Sequence, residues 1–152
     1  MGIRRRAREL AMQALFYMDV HHNASPQMLQ CFCDNFIPPQ KARPFFLKLV
    51  NGVLESQPQI DALIERFSKN WRVKRMACVD RNVMRIAVFE MLFCQDIPPK
   101  VSINEAIDVG KKFGTEESGA FINGIIDRIR MAIEKGEIQI DRSVETPNNN
   151  VE

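Results

Sequence analysis

Arg4, Arg5, Arg6 and Arg8 fall among the first eight residues, with no acid before Glu9. On a helix turning about 100° per residue, Arg5, Arg8, Met12 and Phe16 follow one another at spacings of three, four and four and form one row. Ile3, Ala7, Leu10, Ala11, Ala14, Tyr17 and Met18 share the other side and are predicted to be its buried stripe. A row running from guanidinium to aromatic, exposed to solvent, suits a single-stranded nucleic acid. Such a ligand needs its phosphates neutralised and a ring on which a base can stack. The same residues also fit a solvated basic end with no ligand, and the row alone does not separate the two.

The rest of the chain has to hold that row in place. With 152 residues, 45% of them apolar, one domain is expected, burying roughly two thirds of its unfolded surface. A net charge of +2 is too mild to mark a nucleic-acid binder globally, but the charge is uneven. Residues 69–85 carry six bases (Lys69, Arg72, Lys74, Arg75, Arg81, Arg85) against Asp80, whereas residues 134–152 carry five acids against two bases. Cys31, Cys33, Cys78 and Cys94 form no C-x-x-C pair, sit in apolar helical patterns and read as reduced thiols. His21 and His22 with Cys31 and Cys33 match no common zinc spacing, so no metal is expected. No run approaches a membrane span, and the arginines are not followed by the apolar core of a signal peptide, so a cytoplasmic protein is expected.

Nearly every segment has helical periodicity. Ser25 caps a helix with Pro26 at its first position, reaching about Phe36. Pro44 opens a helix lined by Phe45, Leu49, Gly52 and Val53 that closes near Glu55. Ile60, Leu63, Ile64, Phe67 and Trp71 line the next, with Trp71 ending it in the core. From Asp80, read as an N-cap, to Cys94 the chain is apolar almost all round and must be the central helix. Glu90 lies on a buried face of that helix and therefore needs a partner such as an arginine or a helix N-terminus. Ser102 and Glu105 make a capping box for a helix stopping at Gly114, and Ile122, Ile125, Ile126, Ile129 and Ile133 pack the last one, which ends near Gly136. VNGVLE at residues 50–55 is echoed by INGIID at 122–127, where Gly52 and Gly124 are expected to permit close helix approach. Residues 1–140 are thus expected to be a single helical domain, and residues 141–152, polar and without period, a disordered tail.

Catalytic chemistry is missing from this pattern. There is no Gly-rich phosphate loop, serine elbow, Cys/His pair or metal-ligand spacing, so neither an enzyme nor a cofactor is expected.

Four ordered segments, RRRARELAMQALF (residues 4–16), VDRNVMRIAVFEML (79–92), VSINEAIDVGKKFG (101–114) and FINGIID (121–127), resemble the NusB family of bacterial transcription antitermination factors. The resemblance implies an all-α fold of about seven helices in two packed three-helix groups. It also implies two partners: single-stranded boxA RNA of ribosomal RNA leaders, and the small-subunit ribosomal protein NusE. Other Nus factors and RNA polymerase would be engaged indirectly, and catalysis is not part of the family's role. On the RNA side the resemblance implies Arg4, Arg5, Arg6, Arg8, Gln13 and Phe16, where a tyrosine is common in the family, so that stacking is kept and a hydrogen bond lost. The segment FGTEESGAF (113–121) matches a second RNA-facing element, with Phe113, Glu117, Ser118 and Phe121. Met12, Phe16 and Asp80 fall on the partner side. The module is also similar to the N-terminal part of certain ribosomal RNA cytosine methyltransferases, a reading that needs a cofactor domain, whereas this chain stops about twenty residues after its last helix. A third reading is a protein adaptor or homodimer whose Met12 and Phe16 patch is the interface.

Overall fold

The computed structural model describes residues 2–69 and 71–138. Among them are six α-helices, a single 3-10 turn and no strand: α1 (Ile3–Val20), α2 (Pro26–Asn35), α3 (Arg43–Phe67), the turn Val73–Arg75, α4 (Cys78–Phe93), α5 (Pro99–Phe113) and α6 (Ser118–Glu134). Helix α1 packs on α2 and α3, and α4 on α5 and α6. The two groups join where α4 meets α1 and α3. Helix α4 is the central one, as its composition requires: from Asn82 to Leu92 every side chain is buried. The expected tail at residues 141–152 lies outside the described residues.

Six helices replace the expected seven because α3 runs unbroken through Pro58. Proline removes one backbone donor, a local penalty of about 3 kcal/mol in a helix interior. Yet Phe46, Leu49, Val50, Val53, Ser56, Ile60, Leu63 and Ile64 stay in helical phase on both sides of it and are all buried. The packing of that stripe outweighs the single lost hydrogen bond, with Pro58 itself on the exposed side.

Local signals fared unevenly. Ser25 accepts the Met28 N–H at 3.2 Å, with Pro26 at the helix start, as expected. Asp80 is not an N-cap: α4 begins at Cys78 behind Ala77, so Asp80 sits in its first turn, buried, with Oδ1 lacking a hydrogen-bond partner among the described residues. Nor do Ser102 and Glu105 cap α5, which starts at Pro99, where the proline's fixed φ does the work expected of the serine. Gly52 does admit a neighbour, since the Phe89 ring occupies the space its side chain would need. Gly124 faces open space and permits no close approach. Ile3, in the first turn of α1, projects beyond the helical body and is exposed rather than in the buried stripe.

Candidate nucleic-acid interface

The N-terminal row is not one surface. Phe16 is 38% exposed and Arg5 half-buried, but Arg8 is only 5% and Met12 only 2% exposed. Helix α1 is covered by α3, α4 and α5, so its buried arc is wider than a single stripe and takes in positions 8 and 12. The Arg8 guanidinium forks onto Glu90, donating from Nε to Oε2 at 2.7 Å and from Nη2 to Oε1 at 2.8 Å. Ser102 donates to the same Glu90 Oε1 at 2.6 Å, and Arg8 Nη1 reaches Glu105 at 3.2 Å. Glu90 thus has an arginine, one of the partners its buried position called for, and Arg8 is a bridge between α1, α4 and α5 instead of a free cation. Met12 is part of the core and not of the exposed surface. Asp80, buried, is likewise withdrawn from the surface on which a partner could lie.

The outer arginines are held by acids of a different kind. Arg5 forms a fork on Glu105 at 2.6 and 2.7 Å and adds Asp108 at 2.8 Å. The hydrogen bonds from Arg5 hold the Glu105 carboxyl below the usual carboxylate range against the opposing effect of its burial. Arg4 reaches the exposed Asp96 at 3.2 Å and stacks over the Phe45 ring at 4.9 Å. Among the described residues Arg6 has only the long contact to Glu9 at 3.5 Å. Arg4 and Arg6 are therefore the N-terminal cations most open to an incoming anion.

Glu9, itself buried, connects this end of α1 to the second segment. Its other oxygen accepts from Lys112 Nζ at 3.1 Å, and the same ammonium lies 5.4 Å from the centre of the Phe113 ring. Arg6, Lys112 and Phe113 consequently share one border between α1 and α5. In the loop leading to α6, Ser118 is buried, accepts the Thr115 N–H at 2.9 Å and so shapes the turn rather than facing outward. Glu117 stays exposed beside Thr115, with Thr115 Oγ1 donating to it at 3.2 Å. Phe121 is half-buried on α6, and Gln13 half-buried on α1.

Sequence reasoning misplaced Trp71. Helix α3 stops at Phe67, and Lys69 turns the chain with φ of 57°, so Trp71 is out of helical phase. It is 57% exposed and lies edge-on to Phe121, ring centres 6.1 Å apart. A helix stop before Trp71 was the signal that its apolar spacing concealed.

The basic run at residues 69–85 also divides. Arg81 and Arg85 turn inward: Asp19 accepts from Arg81 at 2.9 Å, Asn82 at 2.9 Å and Arg85 at 3.2 Å, and Arg85 forks onto Asp61 at 2.8 and 2.9 Å. Burial pushes the Asp19 carboxyl up, but the bonds from Asn82 and Arg81 and the nearby arginine charges bring it below its ordinary value. A carboxyl depressed in the folded state contributes stability above its unfolded pKa and loses it as pH falls through the folded one. With Asp19 and Glu105 both depressed, the unfolding free energy should be flat near neutrality and fall below about pH 5. Urea titrations across pH check this, and Asp19→Asn should flatten the acid side; an equally steep acid loss in that variant would contradict the assignment.

None of the four thiols is paired. Burial lifts Cys94 to about 11, so it remains a neutral core thiol. No described helix is long and apolar enough to cross a membrane.

Comparison with known proteins gives this arrangement its context. The NusB family model matches residues 5–131. A transcription antitermination protein NusB of Desulfatibacillum aliphaticivorans is 56% identical over 137 residues, covering 90% of this chain and 96% of the relative. That of Desulforapulum autotrophicum is 55% identical over 141 residues, covering 90% and 99%. Among solved structures, T. maritima NusB superposes with a TM-score of 0.76 at 39% identity, covering 89% of this chain and 97% of that one. A structure of antitermination factors NusB and NusE in complex with double-stranded RNA superposes with a TM-score of 0.77 at 26% identity, covering 87% and 98%. With the match extending from the arginine-rich start of α1 nearly to the end of α6, the chain belongs to the NusB family.

Proposed function

We propose that the protein is a non-catalytic antitermination factor that binds single-stranded boxA-like RNA of ribosomal RNA leaders together with NusE, and so promotes processive transcription. The observation that carries this reading is the border where Arg6, Glu9, Lys112 and Phe113 join α1 to α5, with Arg4 exposed on the same helix. Exposed cations beside an accessible ring supply the phosphate neutralisation and base stacking that an unpaired strand requires. In this reading Arg4, Arg5, Arg6, Gln13, Phe16, Phe113 and Phe121 face the RNA, and Arg8 and Ser118 position them. Relatives named for antitermination, and a similar fold solved with NusE and RNA, support it.

A mobility shift tests the reading with a boxA-like strand, a scrambled strand and a duplex, each with and without NusE. Preferential binding of the boxA-like strand, tightened by NusE, is expected. Equal retention of the two single strands, or no retention with NusE present, would overturn it. Glu117 places a carboxylate in the same segment as Phe113 and Phe121, where it repels phosphate. Glu117→Gln should therefore tighten binding a few-fold, about the value of one weak charge contact, and unchanged or weaker binding by the folded variant would count against this placement.

A further inference from the structure

Four cations of the basic run are left over once Arg81 and Arg85 are accounted for. Lys69, Arg72, Lys74 and Arg75 are all exposed, and none has an ion pair among the described residues. In their midst stands Trp71, more than half exposed yet firmly held. Its N–H donates to the Ser68 carbonyl at 3.3 Å, its own carbonyl accepts from Ser68 Oγ at 3.2 Å, and its ring packs against Phe121 with the two planes 60° apart. Val73, two residues on, is buried, with its N–H on Glu65 Oε2 at 2.8 Å. That bond engages one oxygen of the Glu65 carboxylate with the backbone.

A large apolar ring in water, its backbone fixed and its near sequence neighbours exposed cations without ion pairs among the described residues, suits a flat, anionic ligand. Stacking on a pre-ordered aromatic loses little conformational freedom, and unpaired cations complement a phosphate backbone. An acidic peptide would satisfy the charge but leave the indole face without a planar partner. A nucleotide satisfies both. We propose that Trp71, with Phe121 at its edge and Arg72, Lys74 and Arg75 beside it, is a second base-stacking station that extends the RNA track from the α1–α5 border onto the turn between α3 and α4. This rests on the RNA reading above, shares Phe121 with it, and adds Trp71, Arg72, Lys74 and Arg75, which the family resemblance did not assign.

Trp71 is the sole tryptophan of the chain, so its emission reports directly on the station. Titrating the full-length protein with a boxA-like single strand of about 20 nucleotides, long enough to span several stacking sites, should quench that emission with the same midpoint as the mobility shift. Trp71→Ala should weaken binding about tenfold and Trp71→Phe by less than about threefold, the range for one stacked base. Changing Arg72, Lys74 and Arg75 to glutamine should lower the slope of log affinity against log salt by about 2. Circular dichroism checks that each variant is folded. If the strand binds the Trp71→Ala protein as it does the wild type and emission does not change, the station is absent, and the reading of the α1–α5 border stands without it. If Trp71→Ala loses affinity for NusE and keeps it for RNA, the patch is a protein contact and the proposal is wrong. If the wild type binds no RNA at all, the parent reading falls together with this one.

Discussion

Replacing Glu90 with alanine is expected to lower the unfolding free energy by about 3 kcal/mol or more, the largest stability effect of any single change outside the apolar core. The reason is what remains behind. Arg8 would keep its charge in a site that is 5% exposed, with only Glu105 at 3.2 Å for compensation, and Ser102 would lose its acceptor. Removing both charges together is a different experiment. Arg8→Met with Glu90→Leu leaves no orphaned ion and fills similar volume, so the double variant should recover most of the loss. Urea denaturation of the two single variants and the double variant measures the coupling. Additive losses would show that the fork is not acting as a unit.

The second large effect concerns binding. Changing Arg4 and Arg6 together to glutamine should weaken single-strand affinity by about 30-fold, roughly 1 kcal/mol for each exposed cation–phosphate contact. The salt slope should fall by about 1.4 at the same time. Arg8→Gln should do the reverse: destabilise the fold and leave the slope unchanged, because a guanidinium forked onto Glu90 releases no counterion when RNA arrives. Affinity measured between low and physiological salt separates the cases. A slope lost with Arg8 and kept without Arg4 and Arg6 would mean that the wrong arginines have been assigned to the surface.

Periodicity disclosed the helices and their inner faces wherever burial followed one face. Ala7, Leu10, Ala11, Ala14 and Met18 of α1 and Ile122, Ile125, Ile126 and Ile129 of α6 are buried as their spacing predicts, and Ile133 is half-buried. It failed where an element is covered from several directions. Helix α1 meets α3, α4 and α5, so a charge and a methionine that look outward on a two-sided wheel point into a neighbour. The need of Glu90 for a partner was legible from its apolar surroundings, but that the partner is Arg8, 82 positions earlier, was not. Pro58 and Trp71 misled in opposite senses. An unbroken stripe carried α3 past a proline, and a tryptophan in apparent phase fell beyond the helix end. The residue types of the site could be read from the chain. Which of its cations were already neutralised could not, because their acids lie on other helices.

The fastening of the first two turns of α1 has a thermodynamic corollary. Arg5, Arg8 and Glu9 are each tied across to α5, and Arg8 also to α4, before any ligand arrives. A cationic arm that has to settle on its target gives up chain entropy at that moment; this one has given it up during folding. Association should therefore show a small heat-capacity change and a rate governed by charge steering rather than by a slow ordering step.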